Sequence, residues 1–238
     1  MLEALLLFLA AFAAAALSGA AGFGGALLLL PLLVGTVGVT HAVPLLTIAQ
    51  LIGNLSRAGF GFAQIRWKPV GLFLLGAVPL SMLGALGFVA CPKAWITRAI
   101  GAALLLFVGL KYFGVLKFRY HPVLLVAGGG VTGFLSGLVG SAGPLGAAVF
   151  LSLGLPPLAY LASEATTALA MHSVKTLIYQ QHIALDRDFW LLAALMGLAM
   201  VLGTWSARRV VARMPQAAFQ RLVTGLLSVI AVWMLLHG

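Results

Sequence analysis

Long apolar runs divide the chain, and most of the charged residues fall between them or at their ends. The runs cover roughly 2–36, 39–63, 69–90 and 94–115, then 120–154, 157–181, 188–207 and 216–237. A transmembrane helix takes about 20 predominantly apolar residues, so most of these are single crossings. The first run of each half is too long for one crossing, and glycines interrupt both. Gly22-Phe23-Gly24-Gly25 breaks one and Gly140-Ser141-Ala142-Gly143-Pro144 breaks the other. Glycine tolerates the break and Pro144 suits the first turn of a new helix. Each long run therefore predicts two helical pieces around a glycine turn.

The two halves match each other. An offset of 118 residues carries Leu17-Ser18-Gly19 onto Leu135-Ser136-Gly137, Gly22 onto Gly140, Gly25 onto Gly143, Arg57 onto Lys175 and Ile65 onto Ile183. Near the ends the offset becomes 123, pairing Pro92 with Pro215 and Arg98 with Arg221. An ordered series of this kind predicts a duplication, a common construction in secondary transporters. The expected units are 1–119 and 120–238, joined in one membrane domain.

Composition agrees. Of 238 residues, 63% are hydrophobic and 8% charged, with a mean hydropathy of +1.15, whereas soluble domains carry about a quarter charged residues. These values exclude a soluble globular domain and predict an all-α polytopic membrane protein. The net charge of +10 would suggest nucleic acid in a soluble protein, but no polar surface exists here for phosphates. Cationic loops on one side of a membrane explain it better. The lone Cys91 forms no intrachain disulfide, and no Cys/His spacing suits a metal. The N-terminal run resembles a signal segment, but Glu3 stands where a cation belongs and the run continues past any cleavage point, so it is read as mature helix.

Loop charge chooses between topologies. Eight plain spans divide the loop cations 6 against 6. If each glycine-broken run enters and leaves on one side, the loops at 66–68, 111–119 and 208–221 share nine cations, against three for Lys93, Arg98 and Arg187. Only the second arrangement obeys the positive-inside rule. It leaves three full crossings per repeat beside the hairpin, so the repeats are expected to be inverted, with both termini outside the cytoplasm.

Several residues carry candidate chemistry. Ladders of small residues precede both breaks, Ala11, Ala15 and Gly19 in one half and Gly129, Gly133 and Gly137 in the other, and suit close helix packing. Beyond the breaks, new helices point unpaired N–H groups toward the turns, which suits an anion. Gly22, Gly24, Gly25, Gly140, Ser141 and Gly143 are therefore candidate substrate-binding positions; glycine packing is the alternative. Gln50, Asn54 and Arg57 share one helix face, as do Ala168, His172 and Lys175. Arg57 and Lys175, each with Asn54 or His172 a turn earlier, suit a shared anion site, unless they snorkel to the interface. Glu164 lies within an apolar run two turns before His172, and the two could carry a proton; a wet helix mouth is the other reading. Ser18, Ser136 and Ser141 could donate to an oxyanion or bond back into their own helices. Trp67, Trp95, Trp190 and Trp205 suit interfacial anchors.

The motif Leu17-Ser18-Gly19-x-x-Gly22-x-Gly24-Gly25 with Pro31-x-Leu33 resembles the sulfite exporter TauE/SafE family. So does Gly133-Phe134-Leu135-Ser136-Gly137-x-x-Gly140, with Gly154-Leu155-Pro156-Pro157 beyond it. The resemblance implies a permease of the bacterial cytoplasmic membrane associated with export of sulfite or organosulfonates. Two positions depart from the family pattern: the second break is not an uninterrupted glycine run, and His172 and Lys175 match no general family motif.

The expected function is thus a secondary transporter of a small sulfur-containing anion, working by alternating access at a midplane site, with no cofactor or metal. Its partners are the anion and bilayer lipid, with room for a homo-oligomer and none for nucleic acid. An anion channel or noncatalytic membrane subunit is the alternative. A remote one is an intramembrane serine hydrolase using Ser141 and His172, although the matching first-half position, Phe23, carries no hydroxyl. No phosphate-binding G-x-x-x-x-G-K-[ST] motif occurs.

Overall fold

The computed structural model describes residues 2–22, 25–92, 121–215, 217–219 and 221–222. The expected spans 94–115 and 216–237 and Trp95 therefore lie wholly or mostly outside the described residues, as does Gly24. Among the described residues there are seven α-helices, one short 3-10 turn and no strand. In chain order they are α1 (Leu2–Ala21), α2 (Gly25–Phe60), the 3-10 turn (Phe62–Gln64), α3 (Trp67–Ala90), α4 (Pro122–Val139), α5 (Gly143–Leu151), α6 (Pro157–His182) and α7 (Arg187–Val211).

Local sequence explains where these helices start and stop. Proline occupies the first turns of α4, α5 and α6, where its missing N–H is no loss. Asp186 caps α7 by accepting a 2.8 Å hydrogen bond from the Phe189 N–H. The two glycine breaks fall where expected: α1 gives way at Gly22 (φ 87°) and α4 at Gly140 (φ 86°), left-handed conformations that glycine adopts freely. The boundary expected between 36 and 39 is not a loop. Gly38 (φ 73°, ψ 158°) interrupts α2 as a kink, and helix resumes at once.

Among the described residues three helices are long and apolar enough to cross a membrane: α3, α4 and α7, with mean hydropathies of 2.1, 1.8 and 1.7. α6 is different. Ser163, Glu164, Thr167, His172 and Lys175 punctuate it, and all five are buried against protein, where lipid does not meet them. α2 brings Thr47, Gln50, Asn54 and Arg57 to the same interior.

Packing is organised around this polar pair. α6 lies against α2; α3 runs along α4, and α1 along α7; α3 also touches α6, and α7 touches α2. Both small-residue ladders serve these contacts. A methyl at Gly129, Gly133 or Gly137 would strike the backbone oxygens of Phe73, Ala77 and Ser81 on α3. At Gly19 it would meet Ala207 Cβ of α7 at 2.9 Å. Close backbone approach is how helices gain packing energy in lipid, which offers no hydrophobic drive of its own. Two apolar clusters close opposite ends of the bundle. One gathers Leu33, Leu46, Phe88, Tyr179 and Phe189, and the other Phe73, Phe150, Tyr160, Val211 and Phe219. Trp67, Trp190 and Trp205 are all exposed.

Candidate functional site

The site grows from the two breaks. A helix C-terminus leaves carbonyls without intrahelical partners, and they carry partial negative charge. At the end of α1, Arg57 Nη1 donates to Ser18 O at 2.9 Å and the Tyr160 hydroxyl donates to Ala21 O at 3.2 Å. At the end of α4, Lys175 Nζ donates to Ser136 O (3.2 Å), Ser136 Oγ (3.0 Å) and Gly140 O (3.1 Å). The Tyr179 hydroxyl donates to Gly137 O at 2.9 Å. Each cation of the expected pair thus reaches back 39 residues to the serine of its own half. Neither snorkels: Arg57 is 8% exposed and Lys175 0%.

From here the halves diverge. Three acceptors take up all three donors of the Lys175 ammonium, and Lys175 is not part of the cavity wall. Arg57 is shared more widely. Its Nη2 donates to Asn54 Oδ1 and lies 3.4 Å from Glu164 Oε2, forming an ion pair whose side chains are each 6% exposed. Glu164 is therefore not at a wet helix mouth but enclosed against a guanidinium.

Between α1, α2, α4, α5 and α6 lies a cavity of about 40 Å³. One water needs about 10–15 Å³ by this kind of measure, so the space suits about three water-sized groups, the scale of a small oxyanion. Of the residues expected from sequence, Gly22, Asn54, Arg57, Ser141, Gly143, Glu164 and His172 line it. Gly25 and Gly140 do not; the Gly25 N–H is already held by Ser18 Oγ at 3.2 Å. The start of α5 does face the cavity through Ser141, Ala142 and Gly143; Pro144 carries no N–H and the Leu145 and Gly146 N–H groups both donate to Ala142 O, so Gly143 is the residue of that first turn left to offer a backbone N–H.

The wall is under-satisfied. Gln50 Nε2, Thr132 Oγ1, Glu164 Oε2 and His172 Nδ1 are buried, line this cavity and make no hydrogen bond. Buried polar atoms in proteins are ordinarily partnered, so four such atoms on residues lining one small space make it the candidate site. Thr132 was not picked out from sequence, although a hydroxyl one turn from Gly129 in an apolar run was the available signal. Tyr160, whose ring is 2.6 Å from where a Gly22 Cβ would lie, was also missed.

Arg57 has a second face. A smaller cavity of about 20 Å³ is lined by Arg57, Phe60, Leu161, Thr204 and Arg208. The Arg208 guanidinium stands 5.6 Å from the centre of the Phe60 ring. Arg66 binds the same end of the bundle, its N–H donating to Ser163 Oγ at 2.8 Å. The end reached through Arg57 is thus the one where the described cations of the 66–68 and 208–213 segments gather.

The sulfite exporter TauE/SafE family model matches residues 7–234 of the 238-residue chain. No curated protein and no solved structure matches it. Such a family implies a membrane permease of the anion-exporter type rather than an enzyme, in keeping with the apolar helices described above. Matched over nearly its whole length, the chain belongs to the sulfite exporter TauE/SafE family of multi-pass membrane proteins.

Proposed function

We propose that the protein is a secondary carrier for a small sulfur oxyanion, sulfite or a compact organosulfonate, which it exports across the bacterial cytoplasmic membrane. The observation that carries this reading is the 40 Å³ cavity, lined by an arginine and by three residues, Gln50, Thr132 and His172, that each have an unpartnered buried polar atom. Arg57 supplies the charge. Gln50 Nε2, the Thr132 hydroxyl and the Gly143 N–H supply neutral donors, with Asn54, Ser141 and His172 beside them. Charge-assisted bonds to such an anion contribute about 1.5–3 kcal/mol each. Lys175 acts differently in this account, fastening the end of α4 rather than touching the anion.

The carrier is read as two duplicated units, 1–119 and 120–238, in inverted orientation. Exchanging the halves maps the α1–α7 contact onto α4–α3, and the α3–α6 contact onto α7–α2, while α2–α6 maps onto itself. That correspondence supports a two-fold relation whose axis passes by the cavity. Rocking of one unit against the other would open the cavity to each side in turn. The gathering of Arg66, Lys68, Arg208, Arg209 and Arg213 favours that end as cytoplasmic.

Uptake of labelled sulfite into proteoliposomes tests the proposal. Saturable uptake accelerated by unlabelled sulfite inside the vesicles is the expected result. Conduction without such counterflow would favour a channel, and no flux with sulfite or any sulfonate would overturn the substrate class.

A further inference from the structure

The cavity that attracts an anion already contains one. Glu164 Oε2 stands 3.4 Å from Arg57 Nη2, and no hydrogen bond from any other group reaches it. Its partner has other duties, since Arg57 also holds Ser18 O and Asn54 Oδ1. With Glu164 ionised, Arg57 is neutralised by its own protein. The other buried Lys or Arg among the described residues, Lys175, is spent on three acceptors at the end of α4. An oxyanion drawn to Arg57 would then sit beside a carboxylate. Two like charges about 4 Å apart at a partly screened site cost on the order of a thousandfold in binding.

We propose that Glu164 couples transport to protons: the anion takes Arg57 only as the Glu164 carboxylate takes up a proton, so one proton crosses with each anion. This rests on the anion-carrier reading above. The sequence of events balances. A proton from the water on the loading side joins the carboxylate, and the resulting neutral acid releases Arg57 and turns its O–H toward the anion. When the anion leaves on the far side, the proton follows it into water and the Arg57–Glu164 pair re-forms. The duplication supplies no second acid, because the position matching Glu164 in the first half is Leu46. One proton per anion follows. Net flux then runs down the combined anion and proton gradients, outward only when the anion gradient exceeds an opposing inward proton gradient.

Among the described residues the groups that face Glu164 are few. Arg57 comes from α2, and Tyr160, His172 and Lys175 lie on its own helix. α1, α3, α4 and α5 bring Ser18, Phe73, Thr132, Ser136 and Ser141 to the cavity, none of them charged. His172, with Nδ1 unpartnered, is the competing proton acceptor, and the experiment separates the two.

Purified wild type, Glu164→Gln, Glu164→Asp and His172→Gln are reconstituted, with protein-free vesicles giving the passive leak. Labelled sulfite exchange is measured at equal pH on both sides across a pH series. Accumulation is then measured with the outside made acidic. Wild-type exchange should fall as pH rises, because the ionised carboxylate reclaims Arg57. Glu164→Gln should show pH-independent exchange, exceed wild type at least tenfold at the alkaline end, and lose acid-driven accumulation. Glu164→Asp and His172→Gln, even if slowed by the changed contacts with the anion, should both keep acid-driven accumulation relative to their own exchange at equal pH, and the aspartate variant covers any folding defect of the amide. Acid-driven accumulation by Glu164→Gln equal to wild type would overturn the proposal, as would its loss in His172→Gln with retention in Glu164→Gln. Absence of exchange in wild type would overturn the carrier reading and the coupling with it.

Discussion

Replacing Lys175 with methionine separates holding the fold from holding the anion. The ammonium donates to Ser136 O, Ser136 Oγ and Gly140 O with the side chain wholly buried. Methionine fills a similar volume, so the packing change is small. What is lost is hydrogen bonding at the end of α4, where the two carbonyls stay buried. Each unpartnered group costs about 1–3 kcal/mol, while the Ser136 hydroxyl is free to rotate toward a neighbour. Partial relaxation brings the total to about 3 kcal/mol. For a chain of this size each kcal/mol shifts the midpoint by about 2–4 °C, so Lys175→Met should unfold about 6–12 °C below wild type. Tryptophan fluorescence during heating in detergent measures this, and proteoliposome uptake measures the KM for sulfite. The folded fraction should keep a KM within about threefold of wild type. An unchanged midpoint with a KM raised tenfold or more would refute the reasoning and return Lys175 to the anion.

Other substitutions test other parts of the site. Thr132→Val removes a hydroxyl that has no partner in the empty cavity; sulfite affinity should fall about fivefold to tenfold, about 1 kcal/mol, with no loss of thermal stability. Gly22→Ala places a methyl in a left-handed turn and 2.6 Å from the Tyr160 ring, and should destabilise by about 2 kcal/mol or more. Gly35→Ala, in a helix with nothing within 4 Å of the new methyl, should be neutral or slightly stabilising in the same melt. Gly133→Val should drive α3 and α4 apart, because even one carbon there strikes Ala77 O; a wild-type melting profile would contradict that packing.

What the sequence revealed follows from the cost of polarity in lipid. A glycine cluster inside an apolar run, or a cation seven residues from a glutamine on one helix face, stands out because the bilayer gives it no other excuse. Gln50, Asn54 and Arg57 were therefore legible as a face, and the two breaks as turns. The direction in which a side chain points was not legible. Arg57 and Lys175 are equivalent by offset, yet one lines the cavity and the other turns wholly to the Ser136 carbonyl and hydroxyl and the Gly140 carbonyl, 39 and 35 residues earlier in the chain. Repeat alignment reports equivalence, whereas hydrogen-bond saturation depends on the three-dimensional neighbourhood. Glu164 lies eight residues into α6, consistent with an exposed mouth until α2 is packed across it. Gly38 misled in the opposite sense, since one positive-φ residue bends a helix without making a loop.

The central claim is that an anion binds in this cavity against the Arg57 guanidinium. Removing Arg57 alone would strand a buried carboxylate, so the decisive comparison is sulfite counterflow by Glu164→Gln against Arg57→Gln/Glu164→Gln, in proteoliposomes with matched amounts of folded protein. The account predicts saturable counterflow in the single variant and a loss of at least a hundredfold in the double. Counterflow of equal rate and KM in both would contradict it.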